Sequence, residues 1–110
     1  MTFTFSRHLI EERANRLAVL RDYVGFTNLV FEVREWDREH RDYKRTGITS
    51  TGILVVMTDD RSKVITAYLA SMDKTVALSR KAGKKQVPPK LYEKILKNMK
   101  RYEKYYFMAD

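Results

Sequence analysis

The chain has no cysteine, only two histidines, two prolines and four glycines among its 110 residues. Disulfides and thiolate metal sites are therefore excluded, and two histidines make a histidine-rich metal centre a poor fit. No apolar run approaches the roughly 20 residues that a membrane-spanning helix needs. The phosphate-binding glycine loops and the GxSxG nucleophile motif are also missing. We therefore expect no metal, no cofactor and no membrane span.

The length and composition fit a single domain over residues 1–110. Hydrophobic residues make up 44% of the chain and charged residues 33%, as in globular proteins rather than disordered ones. The opening MTFTFSRHLIEE lacks the basic flank and long apolar stretch of a signal peptide. A cytoplasmic protein is the expectation. The oligomeric state stays open.

The positive charge is concentrated at one end of the chain. The net charge is +8, but residues 1–73 hold 11 Lys and Arg against 11 Asp and Glu. Residues 74–110 hold another 11 Lys and Arg against Glu93, Glu103 and Asp110. A one-sided basic surface attracts polyanions, so this third favours nucleic acid as a partner. The alternative is a solvated face that binds nothing in particular.

Residues 53–69 predict a β-hairpin. Two apolar runs rich in β-branched residues, Ile53–Met57 and Val64–Leu69, flank the polar turn DDRS. Thr66 and Tyr68 are two apart, so both should leave the same face of the second strand. A strand-like segment precedes the hairpin, with Lys44 and Arg45 near its start.

Helices are predicted on either side of this sheet. Ile10, Leu17 and Val24 follow helical spacing after a possible cap at Ser6. Residues 27–37 fit a helix or a strand, and we favour a second helix. Residues 80–85 read as a basic loop, and Pro88 and Pro89 suit the start of a last helix over about 88–106. The fold class is α+β: one or two N-terminal helices on a small curved antiparallel sheet, with a basic C-terminal helix.

Several residues could carry out RNA cleavage without a metal, which needs a base, an acid and groups that hold the phosphate. His8 falls in the first turn of the predicted helix, whose dipole favours a neutral imidazole able to act as a base. Arg45 offers a planar fork for phosphate oxygens. Thr66 and Tyr68 can donate hydrogen bonds, although both residue types are common in strands for packing reasons. His40, in the charged run Arg38–Asp42, is expected to be solvated.

The basic residues supply a candidate nucleic-acid surface. Its predicted members are Lys44, Lys84, Lys85, Lys94, Lys97 and Arg101.

The opening Phe5-Ser6-Arg7-His8 and the strand Val64–Tyr68 resemble segments of the barnase, EndoU, colicin and RelE-like (BECR) nuclease superfamily, particularly its prophage-type toxin-like members. This resemblance implies a metal-independent ribonuclease with a helical part followed by a curved antiparallel sheet. It implies that His8 is the acid or base, that Arg45 contacts the phosphate, and that Thr66 and Tyr68 stabilise it. The implied partners are tRNA or mRNA, and a cognate inhibitor protein.

Two alternatives to cleavage remain. The first is a non-catalytic nucleic-acid-binding or phage accessory protein that needs the basic third but not His8. The second is a protein-interaction module whose basic face opposes an acidic partner surface.

Overall fold

The structure, a computed structural model, describes residues 4–5 and 29–103. His8 and the predicted N-terminal helix lie outside the described residues, as does the predicted end of the last helix at residues 104–106. The elements in chain order are β1 Thr4–Phe5, β2 Leu29–Asp37, β3 Asp42–Thr49, β4 Ile53–Thr58, β5 Lys63–Leu69, α1 Met72–Lys81 and α2 Pro89–Arg101. The α+β class is confirmed for this part of the chain.

Strands β2 to β5 form an antiparallel meander. The order in the sheet is β1-β5-β4-β3-β2, with the two residues of β1 parallel to β5. The predicted hairpin is confirmed, since β4 pairs with β5 from Ile53 opposite Leu69 onwards. The prediction of a second helix over residues 27–37 is wrong, because residues 29–37 form β2. Phe31 pairs there with Ile48 of β3, a partner that local periodicity does not reveal.

Two helices cover one face of the sheet, which we call the helix-covered face. Phe31, Ile48 and Leu54 project from this face into a core completed by Leu78 of α1 and by α2. The α2 side chains in that core are Leu91 and Ile95. The other face, which we call the opposite face, also carries fully buried side chains, namely Ile53, Val55 and Met57.

The turn between β3 and β4 holds α2 in place. Thr49 Oγ1 accepts a hydrogen bond from the Ile53 N–H at 3.0 Å, and Gly52 takes φ +87° to close the turn. Asn98 of α2, only 2% exposed, donates from Nδ2 to the Thr51 carbonyl at 2.8 Å. Because a buried amide must find partners, this bond fixes where α2 sits on the sheet.

Helix α1 replaces part of the predicted basic loop. Ser71 is its N-cap, and the Ser71 hydroxyl accepts from the Lys74 N–H at 3.3 Å. Arg80 and Lys81 therefore lie in the last turn of a helix rather than in a loop. No helix among residues 29–103 is long and apolar enough to cross a membrane.

Candidate functional site

Thr66 and Tyr68 share the helix-covered face, as predicted. Thr66 pairs with Val56, and Tyr68 pairs with Leu54, whose side chain is part of the core. Tyr68 packs against that core, and the Lys74 ammonium lies 4.6 Å from the centre of its ring. The Thr66 hydroxyl is buried and has no hydrogen-bond partner within the described part of the chain.

Arg45 points to the opposite face, away from Thr66 and Tyr68. It pairs with Met57, one residue out of step with Thr46, which pairs with Val56 on the helix-covered face. Neighbouring residues of a strand leave opposite faces, so the structure separates Arg45 from the other two predicted site residues. The predicted base, His8, falls outside the described residues.

An ion-pair network occupies Arg45 on the opposite face. Its Nε donates to the Asp59 carbonyl at 2.8 Å, and its NH1 lies 3.4 Å from Glu32 Oε1. Arg34 donates two hydrogen bonds, of 2.8 and 2.9 Å, to the Asp59 carboxylate, and these bonds lower the pKa of Asp59. Arg61 also contacts Glu32. The cations of this network are thus neutralised by carboxylates of β2 and of the β4–β5 turn.

A cleft of about 510 Å³ opens where the helix-covered face meets the turn between β2 and β3. Lys44 and Thr66 line this cleft, whereas Arg45 and Tyr68 do not. The other lining residues are Asp37, Glu39, His40, Asp42, Tyr43, Val56, Thr58, Lys63 and Ile65. Of the predicted site residues that the structure describes, only Lys44 and Thr66 are therefore brought together here.

His40 is the imidazole at this cleft. Its Nδ1 lies 2.9 Å from Asp37 Oδ2, and this hydrogen bond raises the pKa of His40 and lowers the pKa of Asp37. The Lys44 ammonium lies 4.0 Å from the same carboxylate oxygen. The expectation that His40 is solvated is confirmed, since its side chain is 72% exposed, but its pairing with Asp37 was not predicted. The signal that could have found this pair is the Asp-x-x-His spacing in a hairpin turn, where residues three apart meet.

The described residues contain one group of side chains that could bind a metal ion, with ligand atoms within 4.8 Å of one another. Its members are Asp37, Glu39 and His40. Turn geometry explains this grouping. Asp37 Oδ1 accepts the backbone N–H groups of Glu39 and His40 at 3.0 and 3.3 Å. These bonds order the turn and bring the three side chains together.

A second candidate site is a basic surface made of the end of α1, the following loop and the exposed face of α2. Its cations are exposed and have no carboxylate partner among the described residues. They are Arg80, Lys84, Lys85, Lys90, Lys97, Lys100 and Arg101. Lys94 lies on the same helix but is half-buried and makes other contacts.

Comparisons of this chain with protein-family models, with curated proteins and with solved structures gave no match. The resemblance to the BECR nucleases therefore stays a prediction from short sequence segments.

Proposed function

We propose that this protein binds RNA through the basic surface. The observation that supports the proposal is the contrast between two sets of cations. On the sheet, Arg34, Arg45 and Arg61 are held by carboxylates. On the basic surface, the seven cations face solvent and have no such partners among residues 29–103. Cations that do not serve the fold are available to replace the counterions of a polyanion.

The spacing of these cations suits a phosphate backbone. Lys90, Lys97 and Arg101 are seven and eleven residues apart along α2, so they follow one side of the helix. At 1.5 Å per residue they span about 16 Å, enough for several consecutive phosphates. The Asn98–Thr51 bond holds this helix against the sheet. The surface is therefore ordered before RNA arrives, which reduces the entropic cost of binding.

Fluorescence anisotropy with a labelled RNA at several salt concentrations tests this proposal. We expect log Kd to rise linearly with log salt. The double variant Lys97→Gln/Arg101→Gln should lower the slope by about 1.4 for single-stranded RNA, because each phosphate contact contributes about 0.7. The control, Arg38→Gln/Arg41→Gln, removes the same charge from the β2–β3 turn. Equal losses in both variants would show that only net charge matters and would reject the basic surface.

The cleft supports a second candidate function, metal-independent RNA cleavage. A His–Asp pair, the Lys44 ammonium and the buried Thr66 hydroxyl meet at one concave site. In this reaction the ribose 2′-oxygen attacks phosphorus, and the bond from phosphorus to the 5′-oxygen breaks. A base takes the 2′ proton, the role predicted for His8. His40, whose raised pKa favours the protonated form, gives a proton to the leaving 5′-oxygen.

Incubation with total RNA in EDTA tests the cleavage. We expect the wild type to yield 2′,3′-cyclic phosphate ends, and both His40→Ala and His8→Ala to lose most of this activity. Removal of one general acid or base typically costs 10²- to 10⁴-fold. Absence of cleavage by the wild type, or equal cleavage by the wild type and His40→Ala, rejects this function and leaves RNA binding untouched.

A further inference from the structure

A second cavity, of about 330 Å³, lies between α1 and α2 inside the basic surface. Its walls are apolar at Val76 and Val87 and aromatic at Tyr92. Arg80, Lys85, Gln86 and Ser79 complete the lining. This volume is at the lower end of the range of small-molecule pockets, and apolar walls with a few polar groups are typical of such pockets.

Ser79 is the unusual member of this lining. It is 2% exposed, and its hydroxyl has no hydrogen-bond partner among the described residues. A buried helical hydroxyl normally bonds a carbonyl one turn back, as Thr75 does with Ser71 at 2.8 Å. The Ser79 hydroxyl is therefore a polar group that the fold leaves unsatisfied at a cavity wall.

The start of α2 adds positive character to the same cavity. No side chain caps this helix at Pro88, and its first turn contains no acidic residue. Pro88 and Pro89 have no N–H, so the N–H groups without a partner inside the helix are those of Lys90 and Leu91, and the helix dipole favours an anion there. Lys85 and Arg80 bring two full positive charges to the cavity, and neither has a carboxylate partner in the described part of the chain.

We propose that this cavity binds one unpaired nucleotide of a single-stranded RNA. The base stacks on Tyr92 between the two valines, and the Ser79 hydroxyl and Gln86 amide bond its polar edge. The phosphate lies by Arg80, Lys85 and the start of α2. A paired base cannot enter, so the cavity makes the basic surface selective for single strands. This inference rests on the proposed RNA binding.

The experiment uses a 12-nucleotide RNA that carries one 2-aminopurine, as a single strand and as a duplex. Wild-type protein should bind the single strand more tightly and change the 2-aminopurine fluorescence on stacking. Tyr92→Ala should weaken single-strand binding roughly 5- to 150-fold, the range for one lost base–aromatic stack, with little effect on the duplex. The matched control is Trp36→Ala, which removes an exposed aromatic side chain on β2. It should change neither single-strand binding nor duplex binding.

Ser79→Ala separates binding from folding. Because the hydroxyl is unsatisfied, its removal should leave the urea midpoint unchanged or higher. The same variant should reduce the preference for the single strand. If single strand and duplex bind equally, or if Tyr92→Ala and Trp36→Ala behave alike, the nucleotide pocket is rejected while the RNA-binding function stands. If the wild type binds neither RNA, both proposals fail.

Discussion

Gly52 offers the sharpest test of how the sheet positions α2. Its φ of +87° lies in the left-handed region, and an added Cβ would stand 2.7 Å from Asn98 Nδ2 and 3.3 Å from Ile95 Cγ1. Alanine at this position is destabilising for two reasons, its backbone conformation and the clash with Asn98. The left-handed backbone costs about 1–2 kcal/mol for a residue with a Cβ. Displacement of Asn98 from the Thr51 carbonyl leaves buried polar groups unpaired, which costs about 1–3 kcal/mol.

The matched control is Gly83→Ala. Gly83 has φ +75°, but a Cβ there would meet no atom within 4 Å, so only the backbone penalty applies. The lower entropy of the unfolded chain offsets about 0.4–1 kcal/mol of these penalties, so we expect about 1–4.6 kcal/mol of destabilisation for Gly52→Ala. For Gly83→Ala we expect about 1 kcal/mol. Urea denaturation measures both, and equal losses would refute the role of the Asn98 contact.

Three further predictions concern stability. Hydrogen bonds from Ser62 and Thr58 hold the pKa of Asp60 at about 2, so its contribution is present above the unfolded pKa near 3.9 and is lost as the pH falls towards 2. Urea midpoints at pH 5 and pH 2 should therefore differ less in Asp60→Asn than in the wild type. Ile48→Ala, at a fully buried position, should cost about 2–5 kcal/mol in thermal unfolding. Thr66→Val removes an unsatisfied hydroxyl and should not lower the thermal midpoint; a clear loss of stability would reveal a partner for that hydroxyl.

The sequence was most informative where local signals agreed. Two β-branched runs around a polar turn identified the β4–β5 hairpin, because turn chemistry and strand composition pointed the same way. The strand β2 was not predicted, because Leu29, Phe31 and Val33 fit the spacing of a helix as well as that of a strand. Pairing with β3 decided between them, and the β3 partners of these three residues, Thr49, Ile48 and Thr46, lie more than ten positions away along the chain.

The candidate site was harder to predict because it depends on register. Lys44 and Arg45 are neighbours on a strand, so only one of them could share a face with Thr66. Lys44 pairs with Thr58 of β4, and this register places Lys44, rather than Arg45, on the same face as Thr66. The cavity of about 330 Å³ depends on how α1 packs beside α2, and nothing local in the sequence marks Ser79 as a residue on its wall.

β2 stands at one end of the sheet order, nine residues long, and is bonded on one side to β3 within the described chain. At about 3.3 Å per residue β2 is roughly 30 Å long, and the outer edge of a strand at the end of a sheet order can template a foreign strand. The charges along that edge alternate in sign, from Glu32 to Arg34 to Glu35. A second copy of β2 that paired there would place opposite charges next to each other in some registers and like charges in others. The charges along β2 therefore restrict the registers in which a second copy of this strand can pair with it.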